Sequence, residues 1–124
     1  MARTILMVED FDLGLEALEV ALLKVPDVTV RTVATAEDAL RCLAEDDICA
    51  LVTDLHLPRM DGFELIEAVR AHPRRASLPI LVISGDSDPR TPARLAGLGA
   101  NAYFSKPYSP AEVRNRLEQL IDAS

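Results

Sequence analysis

Five short apolar runs, alternating with longer stretches of which four show helical spacing, constrain this chain more than any other feature in it. The runs are Ile5–Val8, Val28–Val33, Ala50–Thr53, Ile80–Ile83 and Ala102–Phe104, several of them rich in β-branched residues. They read as strands. Between and after them apolar side chains recur at helical spacing: Leu15, Leu18 and Leu22; Ala39, Leu40 and Leu43; Phe63, Ile66 and Val69; Val113, Leu117, Leu120 and Ile121. Helix starts are marked by Thr35 with Asp38 and by Ser109 with Pro110 and Glu112, and Asp12 and Asp61 are further caps. The stretch Asp88 to Leu98 carries Pro89 and Pro92, which predicts a short helix with Thr91 as its cap and Pro92 in the first turn. Alternation of strand and helix along the whole chain predicts an α/β protein: βαβ units, a parallel sheet and helices on both faces.

At 124 residues the chain makes one domain, taken as 1–124. Its 20 acidic against 13 basic side chains give a net charge of −7. That charge, with only the short basic cluster Arg70–Arg75, argues against direct nucleic-acid binding. The run Ile5–Val8 is too short for a signal-peptide core and no stretch has the apolar span of a membrane helix, so a cytoplasmic protein is expected. Cys42 and Cys49 lack metal-ligand spacing and read as packing residues.

The residues just past each run are more informative. Glu9 and Asp10 come after the first, Asp54 after the third, Ser84 after the fourth, and Ser105, Lys106 and Pro107 after the fifth, while the second ends without such residues. In strand order 2-1-3-4-5 the four decorated ends are contiguous, and their polar residues converge on one crevice at the carboxyl edge of the sheet. Singly, each residue could serve a turn, a cap or a solvated surface. Jointly, three carboxylates, a hydroxyl and an amine at one edge indicate a shared site. Clustered carboxylates repel one another and recruit a hard cation, for which Mg²⁺ is the natural choice. Three carboxylates are then neutralised by one Mg²⁺ and one lysine, leaving a site that admits a phosphoryl group. This charge balance assigns the roles: Asp54 is the nucleophile, Asp10 holds the metal with Glu9 acting through water, Ser84 donates to a phosphoryl oxygen, and Lys106 pairs with another.

Over essentially its whole length the chain resembles a response-regulator receiver domain, the phosphoacceptor module of two-component signalling. The matching residues are Glu9-Asp10, Asp54 followed by Pro58 and Met60-Asp61-Gly62, Ser84-Gly85, and Tyr103 ahead of Lys106-Pro107. The resemblance implies a doubly wound, flavodoxin-like fold and phosphoryl transfer to Asp54 from the phosphohistidine of a sensor histidine kinase or phosphotransfer protein. It implies Mg²⁺ bound by Asp10, Asp54 and the backbone carbonyl of His56, and slow hydrolysis along a route flanked by His56 and Asp86. It also makes Ser84 and Tyr103 a switch pair read by a downstream protein, and places a cis peptide at Lys106-Pro107.

The resemblance allows homodimerisation through the fourth helix, fifth strand and fifth helix, although Arg90, Arg94, Arg114 and Arg116 there read as solvated surface. Serine stands at 84 where threonine is more usual, and Phe11 follows the acidic pair where a polar residue is more typical. A turnover phosphatase of the haloacid-dehalogenase kind also uses an aspartate nucleophile. Such enzymes carry a second Asp two residues later, where this chain has His56, and their nucleophile follows the first strand. The expectation is a signalling domain rather than a turnover enzyme.

Overall fold

The computed structural model describes residues 3–9 and 15–123. The elements run β1 (Arg3–Val8), α1 (Leu15–Leu22), β2 (Val28–Val33), α2 (Ala36–Glu45), β3 (Ile48–Thr53), α3 (Gly62–Ala71), a 3₁₀ turn (Pro73–Arg75), β4 (Ile80–Ser84), α4 (Thr91–Leu98), β5 (Ala102–Ser105) and α5 (Pro110–Ala123). The five strands form one sheet in the order β2-β1-β3-β4-β5, every pair parallel. This is the doubly wound order expected from the sequence. β1 and β3 begin earlier than their apolar runs, at Arg3 and Ile48: β1 because its pairing with β2 starts at Arg3, β3 because Ile48 is itself buried in a core.

Strand alternation splits the interior into two cores. Leu6, Val8, Leu51, Ile80 and Val82 pack with residues of α2, α3 and α4 on one face. Ile5, Met7, Ala50, Val52, Leu81 and Ile83 pack with Leu18 and Leu22 of α1 and with Val113, Leu117 and Ile121 of α5 on the other. β4 is buried at all of its positions, which is the condition of a central parallel strand covered on both faces. Each fully buried Leu or Ile contributes roughly 1.5–3 kcal/mol of transfer free energy. Only β2, at the edge, alternates with exposed Thr and Arg side chains. Cys42 is buried and Cys49 half-buried, both free, in keeping with packing roles.

The helix starts are built largely as the sequence indicates. Thr35 accepts from the Asp38 N–H at 3.0 Å, and Ser109 from that of Glu112 at 3.3 Å. Asp61 and Glu64 form a reciprocal capping box at the start of α3. Asp12 lies outside the described residues. α4 is short, as its prolines require, but Thr91 is not its cap. Arg90 occupies that position without a side-chain cap bond, Thr91 is the first helical residue, and its hydroxyl turns back to the Asp86 carboxylate. Among the arginines expected to be solvated, Arg90, Arg94 and Arg116 are exposed, whereas Arg114 is half-buried with its Nε 3.8 Å from Glu118. Arg94 lies 3.8 Å over the Phe63 ring, tying α4 to α3.

α4 ends at Gly99, whose φ of 101° closes the helix in the left-handed region. A Cβ there would stand 2.9 Å from Arg70 Nε, whereas one on Gly97 would meet nothing within 4 Å. The two glycines should therefore respond oppositely to alanine. Gly99→Ala should lower stability by about 2 kcal/mol through positive-φ strain and the arginine contact. Gly97→Ala should raise it by about 0.5–1 kcal/mol through helix propensity. Urea unfolding of the two variants checks both signs.

Candidate functional site

Register places the acidic residues at the carboxyl edge. Val8 pairs with Thr53 in the β1–β3 ladder, so Glu9 and Asp54 are the next residues along neighbouring strands. The ladder continues through both: the Glu9 N–H donates to the Val33 carbonyl at 3.0 Å and the Asp54 N–H to the Val8 carbonyl at 3.1 Å. Both residues are buried, at 6% and 5% exposure. Oδ1 of Asp54 accepts from the N–H groups of Leu55 and His56 at 2.6 and 3.1 Å, and Oδ2 accepts from Lys106 Nζ at 2.7 Å. The same Nζ stands 3.7 Å from Glu9 Oε2. A lysine 52 residues away in the chain thus closes the site from above β5. Its backbone N–H is fixed to the Ser84 carbonyl at 2.9 Å, and Lys106-Pro107 is cis.

The backbone carbonyl of Asp54 is gripped from two sides. The Thr53 hydroxyl, buried, donates to it at 2.8 Å. On the other side α3 begins with Gly62, where a Cβ would fall 2.5 Å from that oxygen and 2.7 Å from Leu55 Cα. Gly62 is required because the start of α3 packs directly on the backbone that carries Asp54, with its N–H donating to the Leu55 carbonyl at 2.9 Å.

Ser84, fully buried, ends β4. Its Oγ accepts from the Asp86 N–H at 3.1 Å, and the Asp86 carbonyl accepts from the Tyr103 hydroxyl at 3.2 Å. The Ser84–Tyr103 pair is therefore joined through one loop residue. Tyr103 packs against the core shared by α2, α3 and α4 rather than against the last helix. Burial pushes its phenol up, with the charges of Asp86 and Asp54 adding to the shift, so the hydroxyl stays protonated and donates. His56 is exposed and enters the site through its backbone N–H. Asp10 lies outside the described residues, and among those described no three His, Cys, Asp or Glu side chains gather as a metal cluster.

The response regulator receiver domain family matches residues 5–118. The chain belongs to that family. This receiver domain is 34% identical over 119 residues to the transcriptional regulatory protein GltR of Pseudomonas aeruginosa, covering 96% of this chain and 49% of that one. It thus spans about half the length of that curated relative. A putative response regulator from Chloroflexus aurantiacus superposes with a TM-score of 0.88 at 34% identity, covering 98% and 99% of the two chains. The receiver domain of a sensor histidine kinase from Pseudomonas aeruginosa, a structure with a magnesium ion coordinated in its active site cleft, gives 0.85 at 25% identity, covering 98% and 99%.

Three contacts of this receiver domain escaped the sequence reading. Gly62 was noted only within the Met60-Asp61-Gly62 match, and its closeness to Asp54 exists only once α3 docks. Thr53 ended a strand and gave no sign of its bond to the next carbonyl. The third had a visible signal: Ser84, Asp86 and Asp88 stand at alternate positions, the spacing at which such side chains accept from the N–H two residues on. Asp86 does so from Asp88 at 2.9 Å, and Asp88 from Arg90 at 2.9 Å.

At Gly62 two effects oppose each other in a Gly→Ala exchange. Helix propensity favours alanine by up to ~1 kcal/mol, while overpacking against backbone costs about 1–3 kcal/mol. The obstacle is backbone and cannot swing aside, so Gly62→Ala should be destabilised in urea unfolding.

Asp88 is held at about 2, against its ordinary 3.8, first by the Arg90 guanidinium and then by the Arg90 N–H. A depressed carboxylate contributes stability above its unfolded value and loses that contribution as pH falls through the folded one. The Arg90-linked turn should therefore persist through pH 3.8 and be lost toward about 2, as a carboxyl NMR titration of Asp88 would record.

Proposed function

We propose that this receiver domain, taken as residues 1–124, accepts a phosphoryl group on Asp54. The donor is the phosphohistidine of a sensor histidine kinase or phosphotransfer protein, and the phosphorylated state is read by a downstream protein. The observation that carries this reading is the buried Asp54 carboxylate, with Oδ1 held by two backbone N–H groups and Oδ2 2.7 Å from Lys106 Nζ. Receiver domains are signalling domains of two-component systems, and a cytoplasmic location is the one consistent with a phosphohistidine donor. No helix among the described residues is long and apolar enough to cross a membrane.

In the transfer an Asp54 oxygen bonds to phosphorus while the P–N bond breaks, its electron pair leaving on the imidazole nitrogen. A carboxylate has no proton to lose, so no general base is required. The two backbone N–H groups fix Oδ1 and so orient the carboxylate, while Lys106 compensates charge on a phosphoryl oxygen. The Ser84 hydroxyl donates to another. Mg²⁺ would be held by Asp10, Asp54 and the His56 carbonyl, with Glu9 acting through water, and when bound it neutralises charge on the entering group. The donors suit it. They are hard oxygens, and Glu9 and Asp54 bring two carboxylates against one lysine, an imbalance that favours a divalent cation. Hydrolysis of the acyl phosphate is slow, which separates this domain from a turnover phosphatase.

Incubation with acetyl phosphate and Mg²⁺ should add the mass of one phosphate to the wild-type protein, with no addition to Asp54→Ala and none after chelation of Mg²⁺. A wild-type protein that gains nothing overturns the reading. Equal labelling of Asp54→Ala assigns the acceptor elsewhere.

A further inference from the structure

We propose that this chain pairs weakly with a second copy of itself through the amino edge of the sheet, the end opposite Asp54. The contact is two-fold, and it is made by a cleft whose two walls carry opposite charges. It is independent of the phosphoacceptor reading above.

The cleft, of about 560 Å³, opens where α2 runs into β3 and α3 into β4. Glu45, Asp46 and Asp47, at the end of α2, form one wall, and Arg74 and Arg75 of the 3₁₀ turn form the other. Leu43, Ile48 and Leu78 supply its apolar lining. The walls are tied through backbone rather than through charge. Arg75 Nη2 donates to the Leu43 carbonyl at 3.0 Å, and the Arg75 carbonyl accepts from Arg70 at 2.8 Å. The turn that carries Arg74 is fixed by His72, whose Nδ1 accepts from the Arg74 N–H at 3.2 Å. Asp46 pairs with Arg31 of β2. Among the described residues no ion pair crosses the cleft, and Glu45, Asp47 and Arg74 stand exposed.

The three acidic residues here are matched by three basic ones, Arg31, Arg74 and Arg75, so the net charge of −7 is carried entirely by the rest of the chain. Over that acidic surface like charge opposes the approach of a second copy. At this edge it does not. A patch with both signs side by side is also its own complement. Turned about a two-fold axis, the acidic wall of one copy faces the basic wall of the other, and both halves of the contact form at once. A foreign partner would have to reproduce that alternation, whereas a second copy has it by symmetry. The fixed turn leaves little to order on binding. Ten residues line the cleft, against roughly 20–30 a side in a stable interface, so the pairing is weak.

Sedimentation equilibrium on the whole chain, at high protein concentration and low salt, should show a monomer–dimer equilibrium that weakens as salt rises to about 0.5 M. Arg74→Glu should weaken it about tenfold, and so should Glu45→Lys combined with Asp47→Lys, because symmetry makes each substitution act twice. Each of these variants alone has a face with an excess of one sign, so an equal mixture of the two should pair at least as tightly as wild type. Arg116→Glu on α5 and Asp54→Ala should both pair as wild type does, the second keeping the result separate from the phosphoacceptor reading. Urea unfolding checks that each variant is folded. A wild-type chain that stays monomeric overturns the proposal. So does pairing that survives both cleft variants, or a mixture of them that fails to pair. Loss of pairing in Arg116→Glu also overturns it, and would put the contact on α5 instead.

Discussion

Burying a carboxylate costs several kcal/mol unless charge-assisted hydrogen bonds replace its water, and at Asp54 those bonds come from both sides of the sheet's midline. Two are local, from the N–H groups of Leu55 and His56, and one is remote, from Lys106 beyond β5. The local pair depends on the turn after β3, which Thr53 and Gly62 hold from either side of the Asp54 carbonyl. The remote one depends on β5 lying two strands from β3, with β4 between them. The strand order is thus a condition of the site as well as a container for it.

That order also explains why the polar residues gather where they do. A sheet covered on both faces offers no place for a charge along its central strands, and β4 carries apolar side chains until Ser84. The carboxyl edge is the first position at which a strand residue leaves the two cores. Helix and loop backbones then supply donors to whatever emerges there. Glu9, Asp54 and Ser84 each stand at or just past the last residue of their strand, and each is buried by its neighbours rather than by solvent-facing loops alone.

Much of this was legible in the residues. The two-core alternation follows from β-strand geometry applied to Ile5 through Val8, and Thr35, Asp61 and Ser109 mark helix starts by local chemistry that needs no tertiary contact. The reading misjudged Thr91. A threonine before a proline is a good cap by itself, but the Asp86 carboxylate offers its hydroxyl a partner that sequence spacing alone did not rank. Arg70 was hidden for the same reason: it counted only as part of a short basic cluster, yet its guanidinium is drawn inward by the Gly99 and Arg75 carbonyls and by Asn101. Burial pushes that guanidinium down from its ordinary value, which fits its role as a donor to backbone carbonyls rather than to a carboxylate. Local signals specify elements. Long-range partners decide which side chains leave the surface.

The serine at 84 bears on how the site communicates. A β-branched threonine is restricted at χ1, so its hydroxyl has fewer directions open to it. Serine has three staggered positions for the same oxygen. In a fully buried position the bond from the Asp86 N–H selects one of them. The first link of the loop is therefore set by a hydrogen bond that Ser84 accepts rather than by side-chain shape, and its own hydroxyl proton is left for a strong acceptor. A phosphoryl oxygen is such an acceptor, since hydrogen bonds to a charged group are roughly twice as strong as neutral ones. In this chain Asp86 receives both hydroxyls: its carboxylate accepts from Thr91 and its carbonyl from Tyr103.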